Sequence, residues 1–555
     1  MCTPQTPVKV SRRQLMGAAA LVAAGLVAGS TVHSSRATAA DGLDDPQDLA
    51  WLVGDHHVHT VYSHDAKYLQ SHLLDKAQEF GVDVIAFTEH SNWGHANMGG
   101  ALNSQRDIAA ARLARPGLLI FQGLEWYIPA AEHATVLVAP GPNEARILRQ
   151  FELLWDGKLN GWEKPAPGSN QAAEWEPKAG EAIKWLAGQK KAGFIDDVVV
   201  LANHPSRLGI DSPHEMRAWR DAAPEIVIGM EGAPGAQASA VSAFANAASQ
   251  RGEYENAPSE FSFKGFPAEA YKTRGGFDWV TSVVGGLWDS MLAEGKPFWI
   301  TSNSDNHLTA KDTMRIGDYP TGDGWDNGAS LNNFNRAGRR PDPVEAGTPQ
   351  NGSDFWPGQF SRTHIGADSR DYLEVMAAMR AGRMWVDHGH LIDGLDVRVR
   401  PVGHSGPGMA MGSTLSVAPG TDVELIIIIK AASKANPNGT VPHLAHVDII
   451  KGLVTGPVAD RDNFTAPNTK VAERIDTSGR TGEIVLKRTF ANVIEPFYLR
   501  LRGSDGKRSG VGPLGADVDP QGPIPHGAGE GDPWADTWFY ANPIFIDIKE
   551  NSPIT

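Results

Sequence analysis

Two imidazoles stand two residues apart where an apolar run stops. Ala50-Trp51-Leu52-Val53 leads into Asp55-His56-His57-Val58-His59-Thr60, and Asp65 follows. Side chains at i and i+2 of an extended segment point the same way, so His57 and His59 can reach one metal ion together. A lone His-x-His pair is weak evidence. The pattern repeats downstream, and the repetition carries the argument. The run 84–88 ends in Glu89-His90, 118–124 in Glu125, 198–203 in His204-Pro205, and 298–304 in Asp305-Asn306-His307, while His133 precedes the run 134–138. His57, His59, His90, His133, His204 and His307 with Asp65, Glu125 and Asp305 make a mixed imidazole and carboxylate set. Such donors suit Zn, Mn or Fe, and the lack of a thiolate excludes a soft-ligand site.

Something must gather donors that lie so far apart in sequence. Helical stretches are expected at 69–80, 179–191 and 278–294, between several of the apolar runs. Alternating strands and helices argue for an α/β fold with a parallel sheet closed into a barrel. In such a barrel the C-terminal strand ends converge on one face, and the polar stops meet in one cleft.

The order His57-Val58-His59-Thr60, Asp65, Thr88-Glu89-His90, Glu125, His133, Asn203-His204-Pro205 and Ser304-Asp305-Asn306-His307 resembles the PHP family (polymerase and histidinol phosphatase metallohydrolases) over residues 50–310. The resemblance implies a distorted (β/α)7 barrel holding two to three divalent metal ions. It assigns His57, His59, Glu125 and Asp305 to one ion. Glu125 bridges to a second, which also takes His133 and His204. Asp65, His90 and His307 hold a third; some members have His at the position of Asp65, so this site varies in character. His133 is the softest ligand, because Glu132 adjoins it.

Such ions outweigh the three ligating carboxylates, so an anionic substrate could dock although the chain carries −15 overall. Metals lower the pKa of bound water toward about 7. The expectation is phosphoester hydrolysis of a small anionic substrate by a metal-bridging hydroxide. Arg207 is a candidate phosphate clamp through its planar fork, or a surface residue paired with Asp211. His64 could orient a substrate. Lys272 and Arg274 are weaker candidates. Glu231 either hydrogen-bonds a ligand histidine or simply closes a strand, and Glu89 could do the same for His90. The same hydroxide could attack a carbonyl: some secreted-looking PHP proteins with a β-rich tail resemble carbamate or aryl-ester hydrolases, and this chain shares that layout. A non-catalytic metal-binding scaffold is the third reading, although none of the nine positions has been lost.

The other histidines are read more plainly. His56 adjoins a ligand. His95 and His364 lie in polar sequence and are expected at the surface. His388-Gly389-His390 is another alternating pair, outside the family motifs, open either to a second metal site or to an ordinary structural role.

The N-terminus, residues 1–40, reads as a twin-arginine signal peptide, with Ser11-Arg12-Arg13-Gln14-Leu15-Met16 ahead of an apolar run too short and glycine-rich for a confident spanning helix. The expectation is an extracytoplasmic protein, exported by the twin-arginine machinery, with no stable membrane anchor; an uncleaved anchor is the alternative reading. Cys2 is the sole cysteine, so disulfides are impossible. An excess of 65 acidic over 50 basic residues argues against broad nucleic-acid binding. At 555 residues, two domains are natural: a barrel over 41–310 and, after a Gly/Asn/Pro-rich stretch at 311–365, a helix at 371–383 and an all-β sandwich-like domain over 366–555. The stretch 308–363 is either an excursion over the cleft mouth, lined by Trp325, Phe334, Phe355 or Trp356, or a solvated linker. The β-rich part either supports the barrel or binds carbohydrate or a surface.

Overall fold

The apolar runs fold as strands. In the computed structural model, β1 (Ala50–Val58), β2 (Val84–His90), β3 (Leu119–Tyr127), β4 (His133–Val138), β5 (Val198–Ala202), β6 (Val227–Ala233) and β7 (Trp299–Ser302) lie side by side in chain order. The structure describes residues 43–549 except 47, 243–250, 253, 316–333, 336–337, 340–342, 346 and 528. The twin-arginine-like segment and Trp325 lie outside the described residues, as does the Phe334 side chain. Strands β2, β4, β5, β6 and β7 are buried at every position, which is why they read as continuous apolar runs rather than alternating ones.

The sheet is mixed rather than wholly parallel. β1, β2 and β3 are parallel, as are β5, β6 and β7. β4 runs antiparallel to both its neighbours. Only residues 128–132 separate β3 from β4, enough for a hairpin closed by Ile128 N–H on the Glu132 carbonyl at 2.9 Å. A parallel pair needs a crossover of about a dozen residues. The C-terminal ends of β1 and β7 meet: Val58 and Asn306 form a parallel bridge, and His59 N–H donates to the Asn306 carbonyl at 3.0 Å.

The helices differ from expectation where caps or glycine intervene. The helix expected over 69–80 spans Gln70–Glu79. The one expected over 179–191 starts earlier and runs Asn170–Lys191 through Pro177, because the Ser169 side chain caps it by accepting from Ala172 N–H at 3.1 Å. The helix expected over 278–294 is two short pieces, Trp279–Ser282 and Leu287–Leu292. They are separated by a turn in which Gly285 has φ +76°, a conformation open to glycine.

The β-rich half continues the same sheet. Ser361–Ala367 pairs antiparallel with β1, and the order runs on through Met384–His388, Trp538–Ile548, Phe497–Ser504, His446–Leu453 and Thr469–Asp476. A second antiparallel sheet of Met409–Ala410, Ile392–Pro401, Thr421–Ala431 and Glu483–Val493 covers the end of the first. Val423, Leu425, Ile427 and Ile429 of one layer share a core with Val447, Ile449, Leu499 and Leu501 of the other. Alternation along Thr421–Ala431 puts those four apolar residues on one face. The helix Tyr372–Ala381 is capped by Asp371 and ends at Gly382 in the left-handed region.

Two histidines expected at the surface are buried. His95 Nδ1 lies 2.7 Å from Glu152 Oε1. His364 stacks on Trp385 with ring centroids 3.5 Å apart, and its Nε2 is 3.0 Å from Asp387 Oδ1. In each case a buried carboxylate meets one ring nitrogen, a partner that polar local sequence does not reveal. Phe355 packs on Phe360, and Trp356 stacks on His72, so these aromatics anchor the excursion instead of lining a cleft. Among the described residues no helix is long and apolar enough to cross a membrane.

A buried ion pair joins the two halves. Arg500 donates from Nε and Nη2 to the two oxygens of Asp289 at 2.7 and 2.6 Å, both residues being fully buried. Replacing Arg500 by Leu strands the Asp289 charge and should lower unfolding stability by roughly 3–5 kcal/mol, measured as a fall in the urea midpoint.

Candidate metal centre

Strand ends and the loops after them bring the nine expected residues together. His57 is the penultimate residue of β1, and His59 follows its end. Their Nε2 atoms lie 2.9 Å apart, as the extended i, i+2 geometry requires. Asp305 Oδ1 comes within 3.1 Å of His57 Nε2 and 3.2 Å of His59 Nε2. Glu125 stands at the centre. Its Oε1 is 2.8 Å from His133 Nδ1, 3.1 Å from His204 Nε2 and 3.4 Å from His57 Nε2, and its Oε2 is 2.7 Å from His90 Nδ1. The antiparallel turn of β4 produces the first contact, because a hairpin returns His133 to the end of the sheet where Glu125 lies. On the outer side His90 Nε2 is 3.1 Å from His307 Nε2 and 3.3 Å from Asp65 Oδ2.

This arrangement fits divalent cations. Asp305 Oδ1, Glu125 Oε2 and His90 Nδ1 are buried and make no hydrogen bond. Donor atoms about 3 Å from one another are the spacing expected around an ion with ligands at about 2.0–2.2 Å. Clusters able to hold an ion include His57, His59 and Asp305; His90, Glu125 and His133; and His59, His90 and His307. Two of the nine residues sit on strained backbone. His204 has φ +29° and Asp305 φ +46°, uncommon for side chains of this kind and typical of functional sites. Gly235 makes room for the second: a Cβ there would lie 2.3 Å from Asp305 Cβ and 2.4 Å from the Ser304 carbonyl oxygen.

The electrostatics follow from packing acids against imidazoles. Burial opposes charge on the three carboxylates. Even so, neighbouring histidines hold Asp65, Glu125 and Asp305 well below the usual carboxylate range. Burial likewise opposes charge on His57, but Asp305, Glu231 and Glu125 raise its pKa well above the ordinary value. Against the same opposition, Asp65 and Glu125 raise His90 to about 10. Ligand nitrogens must give up such protons to a metal, so ion binding and proton release are linked.

The supporting shell confirms one sequence reading and corrects others. Glu231 Oε1 is 2.6 Å from His57 Nδ1, and its Oε2 accepts from His204 N–H at 2.8 Å. Glu89 serves a different ligand from the one expected. It accepts from Ser63 Oγ at 2.7 Å, and Ser63 Oγ in turn meets His59 Nδ1 at 2.8 Å. His56 turns away from the cluster to Thr301 Oγ1 at 2.7 Å, as strand alternation dictates. His64 Nε2 lies 3.4 Å from Asp65 Oδ2 on the outer side, its pKa lowered by burial to about 4 against the pull of Asp65. Arg207 pairs with Glu132 at 3.3 Å and not with Asp211, which instead accepts from Glu132 N–H at 2.9 Å. His388 and His390 face separate backbone carbonyls, of Gly275 and Gly358, and form no second cluster.

A cavity of ≈ 260 Å³ opens on the centre, lined by Asp65, His90, His133, His307, Arg207 and Tyr254, and by Asn351, Ser353 and Asp354 from the returning end of the excursion. Lys272 and Arg274 do not line it. Tyr254 and Glu132 were not found by sequence reasoning. Tyr254 belongs to no apolar run or spaced motif. Glu132 carried a signal only in adjoining His133. Glu231→Gln keeps the shape but weakens the hydrogen bond to His57, and should weaken metal binding by about 10–100-fold, measured by equilibrium dialysis.

The comparisons agree with this picture in part. No curated protein matches the chain. A crystal structure of a two-domain protein from Bacteroides vulgatus ATCC 8482, described as containing a predicted PHP-like metal-dependent phosphoesterase, is similar over 87% of this chain and 98% of that one, at 13% identity. Its TM-score of 0.30 is too low to bear on fold or function. Residues 55–199 match the PHP domain model. That stretch supplies His57, His59, Asp65, His90, Glu125 and His133, and over it the chain is similar to the PHP domain.

Proposed function

We propose that this protein is a metal-dependent phosphoesterase acting on small phosphate esters, with its seven strands β1–β7 forming a distorted (β/α)7 barrel around the site. The observation that carries the reading is one cluster of six imidazoles and three carboxylates, centred on Glu125, with the Arg207 guanidinium at the rim of the adjoining cavity. Two to three Zn, Mn or Fe ions fit these donors. His57, His59, Glu125 and Asp305 would hold one, Glu125, His133 and His204 a second, and Asp65, His90 and His307 a third. When bound, such ions supply Lewis-acid activation of water and neutralise charge on phosphorus.

The chain's own groups do the rest. Arg207 presents a fixed fork to a phosphate oxygen, its charge balanced from behind by Glu132. His64, neutral above about pH 4, offers a hydrogen bond to the ester beside Asp65. Glu231 and Ser63 fix the rings of His57 and His59. A volume of ≈ 260 Å³ suits a small ester.

A panel of a phosphomonoester, a phosphodiester and an aryl carbamate tests the substrate class. Turnover of a phosphoester is expected, and turnover of the carbamate alone would overturn the reading. His204→Ala and Asp305→Ala should each lower turnover by several orders of magnitude while circular dichroism stays unchanged. Full activity in either would refute the site.

We also propose export by the twin-arginine route. Changing Arg12 and Arg13 to Lys should leave the protein in the cytoplasm of a bacterial host, measured by fractionation. Unchanged export would defeat that assignment.

A further inference from the structure

Tyr254 is outside the ligand set yet touches three groups of the site. Its hydroxyl donates to Asp305 Oδ2. Its ring lies against His204, centroids 4.6 Å apart at 32°. The Arg207 guanidinium sits over the same ring, 5.3 Å from its centroid. The two oxygens of Asp305 therefore have different neighbours. Oδ1 faces His57 and His59 at 3.1 and 3.2 Å, where a cation fits, and Oδ2 faces the phenol. A donor on the outer oxygen fixes the rotation of the carboxylate and leaves the inner one for an ion.

The segment carrying Tyr254 is tied to the β-rich half. Arg251, 2% exposed, donates from Nη1 to Asp536 Oδ2 at 2.9 Å and from Nη2 to the Asp536 carbonyl at 3.0 Å. Its backbone N–H donates to His526 Nε2 at 3.0 Å. Glu255, one residue beyond Tyr254, accepts from Thr273 N–H and Oγ1 at 3.0 and 2.7 Å. Asp536 is itself fixed by Trp538 Nε1 at 2.7 Å, at the start of the strand Trp538–Ile548. Contacts thus lead from that strand through Asp536 to Arg251, whose N–H also reaches Glu255 Oε2 at 3.3 Å, the residue next to Tyr254, and the Tyr254 hydroxyl meets Asp305.

We propose that Tyr254 is a positioning residue of the metal centre and that the β-rich half holds it in place through the Asp536–Arg251 ion pair. This rests on the metal-centre reading given above. The phenol hydroxyl orients Asp305, and the ring seats Arg207 at the cavity. The two roles separate by substitution, because Tyr254→Phe removes only the hydroxyl and Tyr254→Ala removes both.

The test uses full-length protein, Mn²⁺ in equilibrium dialysis and a phosphomonoester for kinetics. Tyr254→Phe should weaken Mn²⁺ binding about 10-fold with KM unchanged. Tyr254→Ala should weaken it as much and also raise KM about threefold, the loss expected for one cation–π contact. Asp536→Asn, remote from the ligands, should weaken Mn²⁺ binding in the same direction. Wild-type Mn²⁺ affinity in Tyr254→Phe would overturn the positioning role, and wild-type affinity in Asp536→Asn would overturn the tether. Equal losses of metal affinity, kcat and thermal midpoint in all three variants would mark a merely structural residue and also overturn it. A wild-type protein that takes up no Mn²⁺, Zn²⁺ or Fe²⁺ would instead bring down the metal-centre reading itself.

Discussion

Among the described residues β7 has a strand neighbour, β6, on one side only, and the satisfaction of its other edge sets the geometry of the site. Two side chains from the β-rich half do this. Thr363 Oγ1 accepts from Ser302 N–H at 2.8 Å and donates to the Ser302 carbonyl at 2.7 Å. Asn542 Oδ1 accepts from Ile300 N–H at 2.8 Å, and its Nδ2 donates to the Ile300 carbonyl at 3.2 Å. Buried backbone groups need such partners, and an unsatisfied edge would let the strand fray. The residues just beyond β7 are Asp305 and His307. Asp55 holds the turn between them and β7 by accepting from Ser304 N–H at 3.1 Å. The centre is assembled from β1 on one side and the extension of β7 on the other, and the second side stands only because the β-rich half closes the edge.

Around that frame the electrostatics are dense. Glu125 lies within 3.4 Å of His57, His59, His90, His133 and His204. One buried carboxylate cannot hydrogen-bond five rings well, and Oε2 is left without a hydrogen bond. Packing of this kind is unfavourable for a structural core, where buried polar groups are satisfied. It is natural for a group whose oxygens face cations. The same reasoning accounts for the strained φ at His204 and Asp305: strain of about 1–3 kcal/mol persists where the surroundings over-determine the backbone. Here Gly235 on one side and Glu231 on the other provide that constraint.

Much of this was legible in the sequence because strand ends are. A buried run that stops at His, Asp or Glu marks a position at the end of a sheet, and those residues meet together with His133, which opens a run, and Asp65, in the loop after the first. The direction of β4 was less visible, although the brevity of 128–132 contains it. The break at 283–286 was hidden because a helical pattern of apolar residues continues across a turn that Gly285 permits. His95 and His364 were misplaced because burial was judged from polar neighbours in sequence, while Glu152 and Asp387 reach them from other elements. Tyr254 and Glu132 had no period or spacing to reveal them. Their roles come from tertiary contacts with Asp305 and Arg207, and no local pattern encodes those.

The β-rich half is therefore better understood as part of the centre than as an attached module. It continues the sheet from β1 through Ser361–Ala367, satisfies β7 through Thr363 and Asn542, and grips the Tyr254 segment through Asp536. It also locks Asp289, in the helix Leu287–Leu292 before β7, through Arg500. A separate binding domain would join through a small, more polar interface, whereas Tyr498, Trp538, Tyr540 and Phe545 belong to the same apolar core as the strands that carry the site. Here the first three links fall on the two elements, β1 and β7, whose ends meet at Val58 and Asn306, and on the segment that touches Asp305. Their common effect is to fix the distance between the His57–His59 pair and Asp305, the one separation on which a shared cation depends.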